Sequence, residues 1–314
     1  MPSKLIYDRI HGNIEISNLE TIILKSPYVN RLHQVIQNST AYLVFPSCKT
    51  SRFEHSLGVM DYSSQLFLNG IRNSIFCKEY FEDKSGLLIN DLLNEIDIDY
   101  FKGLECDKNL HETIKELFGD EVENIQQVLD NGENTQKLID GSFTLLDKSF
   151  LERNLGFEFS KFDLNERFTY IILFEAVRLY GLFHDLGHLP FSHIFEFCLE
   201  YLHENDVLVN PELRKDLSKI YEQPGEIEKD AIHELIGKKI IDYIFDELKN
   251  DVIEKDETSS SVIKLIIIGC IQLVLAEIRK GDVGKLASLY SIVSSAVDAD
   301  RIDFVQREWV RFRI

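Results

Sequence analysis

Apolar residues along this chain recur mostly three and four positions apart, the spacing of helices with one buried face. The first exception is Asn13-Ile14-Glu15-Ile16, where strict alternation after Gly12 predicts a short strand; Ser17-Asn18-Leu19-Glu20 behind it has the form of a helix start. Ile22, Leu24, Val29, Leu32 and Ile36 then predict a helix, residues 41–46 a brief extended segment closed by Pro46, and Ser56-Leu57-Gly58-Val59-Met60 the start of another helix with His55 at its mouth. Residues 170–180 are mostly apolar and predict a buried helix. Residues 233–249 line up Leu235, Ile236, Ile240, Ile241, Ile244, Phe245 and Leu248 on one face, 262–279 are apolar nearly all round as a core helix is, and 286–307 predict a last helix. Residues 205–229, 251–261 and 281–284 read as connections. The pattern predicts an all-α protein with one short N-terminal strand.

Composition adds little, but charge changes the picture. With 314 residues, 44% of them hydrophobic and 28% charged, the chain can bury one large core or two modest ones. A net charge of -19 opposes general binding to nucleic acid or to anionic membranes, which need a positive field. A small anionic substrate is compatible with it where local Arg and Lys offset that field. The cysteines, Cys48, Cys77, Cys106, Cys198 and Cys270, are odd in number, widely spaced and never arranged as Cys-x-x-Cys, which predicts reduced thiols rather than a disulfide framework or a zinc ribbon. The N-terminus has no signal-peptide core, and the longest apolar run, 262–276, contains Lys264 and Gln272 and is short for a membrane span. A cytoplasmic protein without a membrane partner is expected. Gly-rich phosphate loops, cysteine-nucleophile motifs, repeats and low-complexity tracts are absent from the sequence.

The chemistry concentrates at His184-Asp185-Leu186-Gly187-His188-Leu189-Pro190-Phe191-Ser192-His193, where three imidazoles and a carboxylate fall within ten residues. The helix predicted before it would deliver His184 and Asp185 to the interior, with His188 four residues on along the same face and Pro190 limiting its extension. A His-Asp pair alone is common in a chain with 53 acidic residues and most often means nothing. Two distant segments, Arg52-Phe53-Glu54-His55-Ser56-Leu57-Gly58 and Asp298-Ala299-Asp300-Arg301, supply further ligand types, and together the three describe a divalent metal site.

Ile10-His11-Gly12-x-Ile14-Glu15, Arg31-Leu32, Val44-Phe45-Pro46, the segment around His55, the His184–His193 segment and Asp300-Arg301-x-Asp303 resemble, in that order, the HD-domain dNTP triphosphohydrolases, with their bacterial dGTPase and vertebrate SAM- and HD-domain branches. The likeness covers roughly residues 5 to 75, 168 to 200 and 290 to 308. It implies an HD helical core in which His55, His184, Asp185 and Asp300 hold one divalent transition metal (Mn, Fe, Zn or Ni), with Mg accompanying a nucleotide substrate, and it implies a homo-oligomer. Attack at the α-phosphorus would release a nucleoside and triphosphate, and the leaving 5′ oxygen needs a proton. His188, His193 and His233 are the implied acids, with Glu196 as their acidic partner. Arg52 and Arg301 stand where the family contacts phosphate, and Gln37 where it contacts the sugar 3′-hydroxyl. Asp303 is expected to be structural, and Asp298 to replace Asp300 as ligand only in a shifted register.

The departures from the family set further expectations. Residues 78–165, rich in Asp and Glu with short helical patterns at 89–96 and 113–118, form a surplus expected to be an inserted acidic helical subdomain, either a solvated decoration or a lid or partner-docking element. Its excision is expected to leave a folded, metal-binding core. The sequence stops at Ile314, before the helices with which the family continues, so a chain truncated relative to the family is expected. Lys25 and His33 replace the residues that read an activating guanine in the vertebrate branch, so no strong GTP requirement of that kind is expected. Asn38, Phe304 and Glu308 replace residues near its sugar and phosphates, so weaker deoxyribose selectivity is expected, with measurable ribonucleotide hydrolysis. Two other classes stay open: a different HD phosphohydrolase, such as a 5′-nucleotidase or phosphodiesterase, and a non-catalytic nucleotide-sensing or scaffold protein with a vestigial site.

Overall fold

The computed structural model describes residues 4–73, 109–119, 125–156, 162–205, 210–212, 214–215, 218, 232–255 and 259–312. The chain opens with a hairpin in which β1 (Lys4–Asp8) pairs antiparallel with β2 (Gly12–Ile16), Lys4 opposite Ile16 and Asp8 opposite Gly12. Alternation predicts only β2, because Leu5-Ile6-Tyr7 is a continuous apolar run. In the turn, Asp8 Oδ1 accepts from the backbone N–H groups of Ile10 (2.8 Å) and His11 (3.0 Å). Gly12 closes it at φ +73°, a left-handed conformation that glycine adopts without a Cβ clash.

Ser17 caps α1 (Asn18–Leu24) with a reciprocal pair of bonds: its Oγ accepts from Glu20 N (3.0 Å) while Glu20 Oε2 accepts from Ser17 N (2.8 Å). The one helix predicted through Ile36 is broken after Leu24. Ser26 caps the short α2 (Pro27–Asn30), Pro27 lacking the N–H that would continue the ladder, and Arg31–Gln34 follows as a 3-10 turn. Residues 41–46, predicted extended, contain a second 3-10 turn, Ala41–Leu43. α3 (Arg52–Asn73) then begins one turn earlier than its apolar pattern, which places His55 inside its first turn.

The remaining helices are α4 (Asn109–Phe118), α5 (Ile125–Leu129), α6 (Gly132–Leu146), α7 (Lys148–Leu155), α8 (Leu164–Phe183), α9 (Ser192–Glu204), α10 (Ile232–Lys255), α11 (Ser259–Ile278), α12 (Ala287–Tyr290) and α13 (Ala299–Phe312). This is the all-α architecture expected, with a single two-stranded sheet among the described residues. At its centre lies α8, in which every residue from Phe168 to Phe183 is buried. It packs along α3, α6 and α11, while α13 lies on α3 and α10 on α11. α11 is long and apolar enough to cross a membrane by length and composition, with a mean hydropathy of 2.2, yet 72% of that stretch is buried inside the protein, where it serves as a core helix. Three boundaries depart from the sequence pattern. α10 runs on to Lys255 and α11 starts at Ser259, so little of the polar loop at 251–261 is left, and residues 286–307 divide into α12 and α13.

Of the segment 78–165, residues 78–108, 120–124 and 157–161, and with them the predicted pattern at 89–96, lie outside the described residues. The described remainder is helical and shares the main core: Ile114, Phe118, Leu138, Leu146, Phe150 and Leu151 are buried in the same cluster as α3, α8 and α11. At about 1.5–3 kcal/mol per fully buried apolar side chain, these six alone represent roughly 9–18 kcal/mol, as much as the roughly 5–15 kcal/mol net stability of a typical domain. The packing reverses the outcome expected for excision. Replacing 78–165 with a short linker is expected to give an unfolded or insoluble chain, and a soluble product with native helical circular dichroism and a cooperative melt would contradict this.

A buried polar network ties the N-terminus to the hub. Arg178, 1% exposed, donates from Nε to Glu20 Oε1 (2.6 Å), from Nη2 to Glu20 Oε2 (3.0 Å) and to the Glu15 carbonyl (2.8 Å), and from Nη1 to Ser64 Oγ (3.0 Å). Glu175 accepts from Ser17 Oγ at 2.9 Å. Burial, reinforced by the Glu20 charge, pushes its pKa well above the usual carboxylate value.

Candidate metal centre

α8 ends at Phe183, and residues 184–187 form a turn rather than a helical continuation. His184 and His188 therefore do not share a helical face as the spacing predicted, and the turn sends their rings to two different clusters. Two features make the turn possible. Gly187 lies so close to α10 that a Cβ there would stand 1.7 Å from the His233 carbonyl oxygen. Arg31 secures the loop from the other side, donating from Nη1 to the His188 carbonyl (2.7 Å) and from Nη2 to the Leu186 carbonyl.

Four side chains from three distant segments meet around one point. His184 Nε2 lies 3.3 Å from His55 Nε2, 3.4 Å from Asp185 Oδ2 and 3.7 Å from Asp300 Oδ1. His55 Nε2 lies 2.8 Å from Asp300 Oδ1 and 3.7 Å from Asp185 Oδ2. Donors around one ion at about 2.1 Å are roughly 3.0–3.4 Å apart; the 3.3 and 3.4 Å separations match that spacing, the others lie a few tenths of an ångström to either side, and His55, His184 and Asp300 are close enough to one another to share an ion, with Asp185 beside them. Ring orientation supports the same reading. His184 Nδ1 is 2.7 Å from the Gly181 carbonyl and His55 Nδ1 is 2.7 Å from Asp303 Oδ2, which puts the Nδ1 proton outward and turns both Nε2 atoms inward.

Electrostatics without an ion fit a site built for positive charge. For His184, burial lowers the pKa, but the Asp185 and Asp300 carboxylates and the Gly181 carbonyl outweigh it and lift the pKa to about 9. His55 is raised in the same way, against its burial, by Asp300 and Asp303. Burial would raise Asp185, yet the neighbouring charges of His184 and Arg52 hold it well below the carboxylate range. Arg52, which is buried, donates from Nη1 to Asp185 Oδ2 and from Nε to Ser192 Oγ (3.0 Å).

Asp303 is structural, as expected. It is fully buried and receives His11 Nε2 (2.7 Å) on Oδ1, with His55 Nδ1 and Arg307 Nε (2.6 Å) on Oδ2. Gly58 makes room for it, since a Cβ there would stand 1.9 Å from Asp303 Oδ1. Asp298 faces away from the cluster and caps α13, its carboxylate accepting from Ser295 N (2.6 Å) and Arg301 N (2.8 Å).

Beside the four-residue cluster lies a second one. His188 Nε2 is 3.2 Å from Asp185 Oδ1, and His188 Nδ1 is 2.8 Å from Glu196 Oε1. Glu196 Oε2 meets His233 Nδ1 at 2.8 Å and His193 Nδ1 at 3.5 Å. Burial would raise the Glu196 pKa, but its bonds to His188 and His233 hold it far below the usual range. These donors are dense enough to suggest a second ion site. The rings of His188 and His233, however, are stacked with centroids 4.0 Å apart and only 18° between planes, so their in-plane lone pairs run side by side instead of converging. The arrangement suits a proton relay through Glu196 better than a metal cage. His193 is the outer member: its side chain is 70% exposed, and its partial burial with the adjacent His188 lowers its pKa.

The substrate residues inferred from the resemblance are less tightly gathered. Gln37 is anchored by its backbone N–H to the Thr50 carbonyl (2.9 Å), and its buried Oε1 has no partner among the described residues. Asn38 accepts from Ala41 N at 2.9 Å through its backbone carbonyl. Arg301 is exposed and donates to the Ala296 carbonyl (2.9 Å), away from the four-residue cluster. His33 stacks on Phe53 at 3.7 Å, and Glu308 accepts from Thr50 Oγ1 at 3.4 Å. Sequence reasoning overlooked Arg31, Asp61, Arg307 and Ser192 as parts of the site. Arg31 and Ser192 lie in motifs that carry the resemblance, Arg307, four residues after Asp303 on one helix, has the spacing of a helical ion pair, and Asp61 had no readable signal.

No protein-family model matches the chain. Short stretches do match known proteins. Over 56 residues the chain is 46% identical to the human deoxynucleoside triphosphate triphosphohydrolase SAMHD1, covering 18% of this chain and 9% of the human protein. Over 58 residues it is 43% identical to the enzyme of the same name from Danio rerio, again 18% of this chain and 9% of the relative. A protein of Methanocaldococcus jannaschii, MJ1154, is 41% identical over 63 residues, 20% of this chain and 14% of that protein. The chain thus spans a small part of the length of the relatives it matches.

Proposed function

We propose that this protein is a metal-dependent phosphohydrolase that cleaves deoxynucleoside triphosphates at the α-phosphorus, giving a nucleoside and triphosphate. The observation that carries this reading is the convergence of His55 Nε2, His184 Nε2, Asp185 Oδ2 and Asp300 Oδ1, both rings being anchored through Nδ1. The short likeness to triphosphohydrolases that act on deoxynucleoside triphosphates supports the substrate class. Two imidazoles and two carboxylates suit Mn, Fe, Zn or Ni. Bound there, such an ion supplies Lewis-acid polarisation of a phosphate oxygen and acidifies water.

The protein's own groups do the rest. Arg52, three residues before His55 and paired with Asp185, would meet phosphate charge. Water attacks the α-phosphorus, the bond from phosphorus to the 5′ oxygen breaks, the triphosphate keeps the new P–O bond, and the proton that the attacking water sheds offsets the one donated to the 5′ oxygen. The 5′ oxygen takes its proton from the His188–Glu196–His233 group, in which Glu196 fixes both Nδ1 positions and leaves the Nε2 of His233 free of that carboxylate. Gln37 and Asn38 would face the sugar, with Asn38 tolerating a 2′-hydroxyl. Chromatography of products from a panel of dNTPs, rNTPs and a cyclic dinucleotide tests the reading, which requires nucleoside and triphosphate as the pair released.

A second test is pH. His184 must lose its Nε2 proton to coordinate, and in the ion-free protein its pKa is about 9. Below that pH, ion uptake displaces this proton, so affinity is expected to rise about tenfold per pH unit on its account. Stability of the ion-free protein runs the other way. The folded pKa lies above the ordinary 6.5, so the contribution of His184 is complete below about pH 6.5 and is lost as pH rises through about 9. Chelator competition at several pH values reads the first trend, and an affinity that does not change with pH would contradict it.

A further inference from the structure

We infer that His11 is a positioning residue for the metal centre: from the N-terminal hairpin it fixes Asp303, and through Asp303 the orientation of His55. The inference rests on the reading of His55 as a ligand. The His11 side chain is 1% exposed and spans two carboxylates, Asp61 Oδ2 on α3 at 2.9 Å and Asp303 Oδ1 on α13 at 2.7 Å. The edge of the Tyr62 ring packs against it, with centroids 4.4 Å apart. Asp8 in the same turn takes Arg307 Nη1 at 2.8 Å, so the hairpin grips α13 at Asp303 and again one helical turn later.

The two oxygens of Asp303 divide the work. Oδ1 belongs to His11, and Oδ2 holds His55 Nδ1. A competing arrangement is close by. Arg307 already donates Nε to Oδ2, and its buried Nη2 has no partner among the described residues. Both Nη2 and Asp303 Oδ1 border the space that a Cβ on Gly58 would fill. Without His11, the carboxylate can turn its freed Oδ1 to Nη2 and bind the guanidinium through two oxygens, the geometry that carboxylates and guanidinium groups favour. Oδ2 would then be drawn off His55, whose ring would lose the anchor that aims Nε2 at the other donors. His11 holds the carboxylate out of that state.

The test uses the full chain with His11→Phe, which keeps the ring, Asp61→Asn, which removes the charge of the outer partner of His11 while keeping an acceptor oxygen and without touching Asp303, and Glu15→Ala, which unties the same hairpin from Arg153 (3.0 Å). Two quantities are read on protein shown by circular dichroism to be folded: Co2+ affinity by chelator competition, and, without metal, the downfield NMR signal of the His55 Nδ1 proton. Loss of an outer-sphere partner weakens metal binding by about 10–100-fold. That loss is expected for His11→Phe together with loss or a large upfield shift of the His55 signal, a smaller loss in the same direction for Asp61→Asn, and none for Glu15→Ala. Wild-type affinity in His11→Phe, or an equal loss in Glu15→Ala, overturns the inference. Should His11→Phe fail to fold, unchanged affinity in Asp61→Asn overturns it. A wild-type chain that takes up no Co2+ overturns the metal reading instead, and a His55 signal unchanged in His11→Phe then overturns the positioning role separately.

Discussion

Asp185→Asn is expected to give a folded protein that retains no divalent metal and has lost at least about a thousandfold in turnover, roughly 4 kcal/mol of barrier. Asp185 sits where the two clusters join: Oδ2 faces His55 and His184, Oδ1 faces His188 Nε2, and Arg52 donates to Oδ2. An amide keeps the volume and an acceptor oxygen for Arg52, so the buried guanidinium is not stranded. It removes the negative charge that offsets the ion. Metal analysis and steady-state kinetics on the same preparation check this. A variant that is free of metal and still active would contradict the assignment of the site.

The largest effect on stability is expected from Glu20→Ala. Arg178 would then be left in the core without the carboxylate that takes two of its N–H groups, and stranding a buried charge in this way costs about 3–5 kcal/mol. The capping bond to Ser17 N would go with it, adding about 1 kcal/mol. The total approaches the whole stability of a marginal domain, so the variant should be largely unfolded at 37 °C or recovered only at low yield. Urea denaturation reads the difference. A loss under about 1 kcal/mol would mean that Arg178 finds other partners, and the buried-pair argument would fail.

The candidate site was legible in the sequence where chemistry is dense along the chain. Three imidazoles and a carboxylate in ten residues have few structural uses, so His184, Asp185 and His188 stood out, and His55 and Asp300 followed as the missing ligand types. What could not be read was everything held by contacts across the fold. His11 stood out only as part of a motif, because its partner Asp303 lies 292 residues away and a histidine in a tight turn has many uses. Asp298 and Asp300 are alike in residue type and only the resemblance favoured Asp300; the direction of α13 makes the first a helix cap and the second a candidate ligand. Helices were legible by period, but their ends were not. The break at Ser26-Pro27 and the stop at Phe183 are set by capping and by the close approach of Gly187 to α10, neither of which alters the apolar pattern. The packing of residues 113–118 and 128–155 into the main core was hidden for a different reason. Their acidic composition describes the exposed faces, while the buried ones are short and scattered among several helices.

The most direct measurement is of metal and products on one sample. Purified protein is analysed for bound divalent ions and then incubated with dGTP, the products being separated by anion-exchange chromatography beside the Asp185→Asn variant. One ion per chain, with deoxyguanosine and triphosphate appearing in equal amounts and neither formed by the variant, is the predicted result. Release of dGMP and pyrophosphate, or of orthophosphate alone, or equal product from the metal-free variant, would contradict it.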